Sequence, residues 1–445
     1  MEENKMGTVK VPKLIIQTGI PLMLSLLINS LYNFVDSVFV SYVSEDALTA
    51  LSLVSPIQVL ISAAGLGIAV GLNAVISRAL GEKNEDHVKK AAQAALFLAL
   101  IAGISISVIG VLISKPYFAW QSGGNKSISK YGMAYLDIVV LFAAPNMGQW
   151  VFDRFVISSG KSNLFLFTLS AASITNLILD PIFIFGYFGL PAMGTAGAAL
   201  ATGIGQCMGC LAGLLINLKF NKEIPISFSF KPDKNSITSI LKVGLPSALV
   251  QSITSVLGIV MNSVLIGFSS TAVAVYGACT KIQNLSTVGV HGIDNGVIPI
   301  VAYNYGARKY PRIHESVRWA MTYSLIIFAV FLVFLEGFPS AVMKLFDASD
   351  EMMAIGIPAL RILSVAWLIS IPCLVLGSSL QGLSRGTDSM ILTLTRQAVL
   401  PLILVVILSN FGNLNLIWIS FCIAETVTIP LGIFLWKRAV KLTLK

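Results

Sequence analysis

Charge is what this sequence has least of. Only 11% of its 445 residues are Asp, Glu, Lys or Arg, against about 25% in an ordinary soluble domain. So few charges cannot cover a water-exposed surface for a chain that is 56% hydrophobic, and lipid is the solvent that such a composition suits. Histidine is scarce, with three in all. No Cys/His cluster has metal-ligand spacing, and there is neither a zinc motif nor a nucleophile constellation, so nothing argues for an enzyme. The five cysteines (Cys207, Cys210, Cys279, Cys373, Cys422) all fall in apolar runs. The C-x-x-C of Cys207 and Cys210 lacks the βαβ setting of a redox pair and reads as packing. A P-loop is also missing. Gly65-x-Gly67-x-x-x-Gly71 lies inside an apolar helix with the wrong spacing, which argues against ATP as the energy source. A cleavable leader is not expected, because the first apolar segment, Leu14 to Val43, exceeds an h-region of roughly 7–15 residues.

What is present is apolar length. Stretches near 14–42, 50–78, 91–114, 131–158, 164–186, 194–218, 237–267, 272–304, 316–338, 354–382, 390–410 and 414–436 each predict a helix, and a span needs about 20 residues. The longer ones must tilt or project from the bilayer. Runs this long and apolar exclude barrel strands. The expected fold is an all-α membrane protein of twelve transmembrane helices.

The positions of the basic residues predict an orientation. Placing the N-terminus, the loops that follow the even-numbered helices and the C-terminal tail on one side collects 24 of the 30 Lys and Arg residues there. In this reading Arg385 and Arg396 follow the tenth helix, and Lys281 lies inside the eighth. The positive-inside rule then puts both termini in the cytoplasm of a multi-pass protein of the plasma (inner) membrane. The net charge of +9 follows from the same bias and calls for no nucleic acid.

The chain also repeats itself. Gly19-Ile20-Pro21 returns 225 residues later as Gly244-Leu245-Pro246, and Gly81 returns at the same offset as Gly306. Ser159-Gly160-Lys161-Ser162 faces Arg385-Gly386-Thr387-Asp388 at about that offset. Asn221 to Ile237 is the only long polar segment. The predicted domains are a six-helix lobe over 1–220, a cytoplasmic linker over 221–236 and a second six-helix lobe over 237–445. An even number of spans gives both lobes one orientation, and a cleft between them would admit a substrate.

Cost points to the site. A charge at mid-bilayer costs roughly 2.5–3.5 kcal/mol. Asp36 lies deep in the first helix, and Asn29, Asn33 and Asp36 share one helical face. Asn176 and Asp180 lie one turn apart in the fifth helix, directly before Pro181, which lacks the N–H that would cap a carbonyl one turn back. Oxygens of this kind suit a proton relay or a hard cation such as Na⁺ at Asp36, Asn176 and Asp180. The repeat mates of this pair, near Leu402 and Val406, are apolar, and the mate of Asp36 falls near the uncharged Asn262. Thr202 is a hydroxyl candidate in the same lobe. Asp153 is a candidate lining residue beside an interfacial Arg154. Lys281 and Asp294 of the eighth helix, beside His291, and Gln251 and Asn262 of the seventh are further candidate cavity residues, and Glu425 in the twelfth is placed to meet a substrate or Lys281.

These features resemble the multidrug and toxin extrusion (MATE) family, nearer its DinF-like and MepA-like bacterial branches. The resemblance rests on Gly19-Ile20-Pro21 ahead of Asn33 and Asp36-Ser37, on Asn176-x-x-x-Asp180-Pro181, on Pro299 to Ala307 closing the eighth helix, and on Ile417-Trp418 with Glu425. It implies an antiporter that exports small organic, often cationic, compounds in exchange for H⁺ or Na⁺. Two lobes would rock between outward-open and inward-open states, with no cofactor beyond the coupling ion, and the chain would act as a monomer. The coupling residues it implies are Asp36, Asn176, Asp180 and Thr202, with Asp153 at a polar position of the fourth helix. The other bacterial branch uses acids in the seventh and tenth helices. This chain has Gln251 and Asn262, and Ser370 and Ser378, in those helices, so no coupling site is expected in the second lobe. Two other readings are a lipid-linked oligosaccharide or lipid II flippase, which would call for a more basic cavity, and a non-transporting membrane scaffold, which would have no need of costly buried acids.

Overall fold

The computed structural model describes residues 4–122, 125–346 and 348–443, without the side chains of Asn33, Phe34, Ser37, Val38, Ser41, Glu45, Leu48, Thr254, Ser255, Val256, Ile259 and Ser270. Among the described residues it is helical throughout, with no strand. The helices are α1 (Lys5–Thr8), α2 (Val11–Ser41), α3 (Glu45–Gly81), α4 (Glu85–Gln121), α5 (Lys126–Leu141), α6 (Ala143–Ser158), α7 (Ser162–Phe185) and α8 (Thr195–Phe220). They continue with α9 (Lys234–Leu265), α10 (Ser270–Gly306), α11 (Tyr310–Gly337), α12 (Pro339–Lys344), α13 (Asp350–Gly382), α14 (Gly386–Leu394), α15 (Leu400–Ser409) and α16 (Leu414–Thr443). Among the described residues, ten spans are long and apolar enough to cross a membrane, or eleven when the bent pair α5–α6 is taken as one. The remaining long helix is α10, which carries Lys281, His291 and Asp294.

Two expected helices are broken. The run over 131–158 is two helices bent by 50° around Phe142. Pro145 stands in the first turn of α6, where it cannot donate to the carbonyl of Leu141 and its ring crowds that carbonyl. Pro21, Pro56 and Pro181 are accommodated inside continuous helices. The run over 390–410 begins earlier, at Gly386, and is interrupted by a π-helical turn over Thr395–Val399 just before Pro401.

The repeat seen in the sequence is visible in local structure. Ser44 caps α3 by accepting from the Ala47 N–H, and Ser269 caps α10 by accepting from the Ala272 N–H. Both helices run 37 residues and end on Gly81 and Gly306. The residues that follow, Lys83 and Arg308, both turn the chain at a φ of 55°.

The chain divides into two compact units. One holds Leu24–Ala248 with Met1–Asn4, and the other holds Lys5–Met23 with Leu249–Lys445. The units follow contacts rather than chain order, so α2 and α9 each change unit partway along their length. Within the first unit, α3 crosses the start of α9 on glycines. A Cβ on Gly71 would stand 2.1 Å from the Ile240 carbonyl oxygen, and one on Gly244 would stand 2.2 Å from that of Gly67. Within the second unit, the start of α2 packs on α10, with Gly19 against Ile293 and Gly292 against Met23. This is the close approach that small residues permit between membrane helices.

Candidate functional site

The first unit assembles its polar site from five helices. Gly205 of α8 lies so close to α7 that a Cβ there would meet the Ala172 carbonyl at 2.8 Å and the Asn176 Cβ at 3.2 Å. That approach brings Thr202 to Asn176. The Asn176 amide donates to Asp180 Oδ1 at 3.2 Å and to Thr202 Oγ1 at 3.2 Å, using both of its hydrogens. Asn176 and Asp180 are buried. Asp36, on α2, is half-buried and its carboxyl comes within hydrogen-bonding range of that of Asp180. Two carboxylates are both acceptors, so such an approach needs a proton or a small cation between them.

Tyr135 stands near the pair, and Gln58 stands behind Tyr135. Tyr135 of α5, 3% exposed, lies within electrostatic reach of both Asp36 and Asp180. Gln58 of α3 donates to the Tyr135 hydroxyl at 3.1 Å. Neither stands out in the sequence. A tyrosine or a glutamine in an apolar run is common, and only the cost of burying the Gln58 amide is a signal. Three buried oxygens of the site find no protein donor among the described residues: Asp36 Oδ1, Asn176 Oδ1 and Asp180 Oδ2. Unpartnered buried acceptors are costly unless something fills them, and an oxygen-only set suits a proton or a hard monovalent cation. No group of three or more His, Cys, Asp or Glu residues suited to a metal occurs among the described residues. The site has only two acids and completes itself with an amide and a hydroxyl.

The other candidates fall elsewhere. The Asn33 side chain lies outside the described residues. Asp153 is buried on α6, where it accepts from the Thr168 hydroxyl and stands beside Gln149 and Arg154. Arg154 is itself 7% exposed and lies 6.0 Å from the centre of the Trp150 ring, so it is buried rather than interfacial. Gln251 is half-buried and Asn262 exposed on α9, and Lys281 is exposed on α10. Asp294 is buried. Glu425 pairs with Arg396 at 2.8 Å rather than with Lys281. Arg396 is therefore a buried partner rather than one of the cytoplasmic-side bases. It sits in the π-helical turn at 5% exposure, and the second unit does hold buried charge. Asp137 of α5 is an acid within an apolar helix that the sequence reading passed over, and its Oδ1 is buried without a partner among the described residues.

Repeated apolar helices and a buried carboxyl–amide site of this kind define a polytopic membrane protein with an intramembrane polar centre. The chain belongs to the MatE family, whose model matches residues 21–182 and again 246–407. The doubled match bears out the repeat and its offset, which pairs Asn176 with Pro401 and Asp180 with Val405. Among curated relatives, the chain is 26% identical to the multidrug export protein MepA of Staphylococcus haemolyticus, covering 95% of this chain and 92% of that one. It is 25% identical to MepA of Staphylococcus saprophyticus, covering 92% and 90%. Among solved structures, a multidrug resistance MATE family transporter of the MOP superfamily, in an outward-facing conformation, superposes with a TM-score of 0.92 at 25% identity, covering 100% of this chain and 99% of that one. A MOP superfamily transporter from Pyrococcus furiosus shares the fold at a TM-score of 0.92 and 24% identity, with the same coverage.

Proposed function

We propose that this protein is a secondary active exporter of small organic, often cationic, compounds, and that it couples their exit to the entry of a cation at Asp36, Asn176 and Asp180. The observation that carries this reading is the approach of the Asp36 and Asp180 carboxyl groups, with unpartnered oxygens beside them. A shared proton satisfies that pair directly, so H⁺ is the coupling ion we favour. Na⁺ is the second reading, because the free oxygens of Asp36, Asn176 and Asp180 are also ligands for a hard cation. The names of the MepA relatives support export of drug-like compounds.

In this scheme the chain alternates between outward-open and inward-open states. Cation binding shifts that equilibrium because the cation binds one state better than the other. Asn176 holds Asp180 in place and Thr202 fixes Asn176. Tyr135 and Gln58 close the polar set toward α3 and α5. The excess of basic residues on one side of the spans supports cytoplasmic termini, and in this reading the chain works as a monomer without ATP. The test is efflux of ethidium from proteoliposomes under separately imposed pH and sodium gradients. Acceleration by the pH gradient alone is the expected result. Acceleration by sodium alone would replace the proton with Na⁺, and flux indifferent to both would overturn the exporter reading.

A further inference from the structure

The second unit buries charges that the proposed coupling site does not use. Arg396 donates through Nη1 to Glu425 Oε1 at 2.8 Å, with side-chain exposures of 6% and 13%. Asp294 of α10 is 5% exposed and lies within electrostatic reach of the same guanidinium. Asp294 Oδ1 and Glu425 Oε2 are both buried without a partner among the described residues. The groups around them are His291 of α10, which is exposed and within electrostatic reach of Arg396, Cys373 of α13 and Cys422 of α16. Glu336 and Arg361 pair with each other and take no part.

Charge counting makes the argument. Two carboxylates and one guanidinium leave a surplus negative charge in a place where an uncompensated charge costs several kcal/mol. His291 cannot easily supply the missing charge, because a second cation beside Arg396 is repelled by it. A proton on one carboxyl group removes the surplus and gives an unpartnered oxygen a hydrogen to share. Local backbone geometry holds the counter-charge in place. The Leu400 N–H bonds to the Thr395 carbonyl in the π-helical turn, and Pro401 has no N–H to continue the ladder. Such turns place a side chain where a regular helix would not.

We propose that Asp294 and Glu425 form a second proton-binding site, in the second unit, with Arg396 as its fixed counter-charge. It is distinct from the pair formed by Asp36 and Asp180 and does not depend on the coupling role assigned to that pair.

The test reads protonated carboxyl groups directly, by infrared difference spectroscopy of the purified chain between acidic and alkaline pH. The parent carries Asp36→Asn and Asp180→Asn, so the first unit's pair is silent. Asp294→Asn leaves a neutral Arg396–Glu425 pair, and Glu425→Gln leaves a neutral Arg396–Asp294 pair. Each is expected to remove the same carboxylic C=O band. Arg396→Gln leaves two acids without a cation and is expected to raise that band about twofold. His291→Gln is expected to leave it unchanged. A band that Asp294→Asn and Glu425→Gln leave at parental intensity overturns the proposal, as does a rise in His291→Gln, which would make the imidazole the compensating cation. Should Arg396→Gln fail to insert, the two acid variants decide alone. Because the parent already lacks the first pair, none of these outcomes bears on the exporter reading.

Discussion

The Asn176 amide donates to the Asp180 carboxylate at 3.2 Å from one turn earlier on the same helix, and its second hydrogen reaches Thr202 on the next helix. Asp180 is thus fixed from behind while its other oxygen and the Asp36 carboxyl stay available. A strong pairing with Arg or Lys would neutralise Asp180 permanently, and no salt bridge to it occurs among the described residues. An acid oriented by neutral donors can exchange its cation.

Asp180→Asn and Asp36→Asn each remove a potential charge from bilayer depth, so both variants should express and insert at wild-type levels. Gradient-driven efflux from proteoliposomes should fall at least roughly tenfold in each, the scale of a lost coupling energy of about 1.4 kcal/mol or more. Wild-type rates in Asp180→Asn would remove that residue from the mechanism.

Thr202→Val deletes an acceptor for Asn176 without adding volume. The loss of one hydrogen bond, about 0.5–1.5 kcal/mol, predicts a partial efflux defect, milder than that of Asp180→Asn. Asn176→Leu should approach the severity of the acid variants, because it frees Asp180 from its positioning donor. Efflux rates measured side by side in the four variants check this ordering.

Arg396 and Glu425 should behave as a unit in stability. Removing one partner of a buried pair costs about 3–5 kcal/mol. Arg396→Gln, which leaves two buried acids without their cation, should lower the unfolding temperature of the detergent-solubilised chain more than Glu425→Gln, which leaves Arg396 balanced by Asp294, and the double variant should lose less than the two single losses combined. Additive losses would mean that the pair is not coupled.

Gly71→Ala puts a methyl 2.1 Å from the Ile240 carbonyl oxygen, against backbone that cannot rotate away. Overpacking of this kind costs about 1–3 kcal/mol. Gly277→Ala, where a Cβ meets nothing within 4 Å, is the control. Thermal unfolding should separate the two.

Outside the membrane, the Asp233 carboxylate caps α9 by accepting from the Ser236 N–H and hydroxyl, both at 2.8 Å, which holds it below the usual carboxylate range. A lowered value means that the cap stabilises the helix start above the ordinary carboxylate range and is lost as the pH falls through the lowered value. Hydrogen exchange at the first turn of α9 should rise on acidification in the wild type, and less so in Asp233→Ala.

Much of this was legible in the sequence because lipid makes polarity expensive. Asp36, Asn176 and Asp180 stand out against apolar surroundings, and the glycines of α3 and α8 mark the close crossings. The repeat was readable from Gly19 and Gly244, since the same helix crossing needs the same missing side chain. Other features left no such trace. Tyr135 and Gln58 are ordinary residues for an apolar helix, and only the fold brings Tyr135 near Asp36 and Gln58 to Tyr135. Arg396 lies inside the apolar run 390–410 but reads as one more base on the cytoplasmic side, because a π-helical turn has no pattern of its own. Pro145 breaks its helix whereas Pro181 does not, and nothing local to either residue distinguishes them. The division of α2 and α9 between units depends on long-range packing that chain order hides.

The central claim is that the pair formed by Asp36 and Asp180 gives up a proton when substrate binds. The direct measurement is proton release into weak buffer, followed with a pH dye, when ethidium is added to the purified chain. The account predicts acidification by the wild type and none by Asp180→Asn. Equal release by Asp180→Asn, or no release by the wild type, would contradict it.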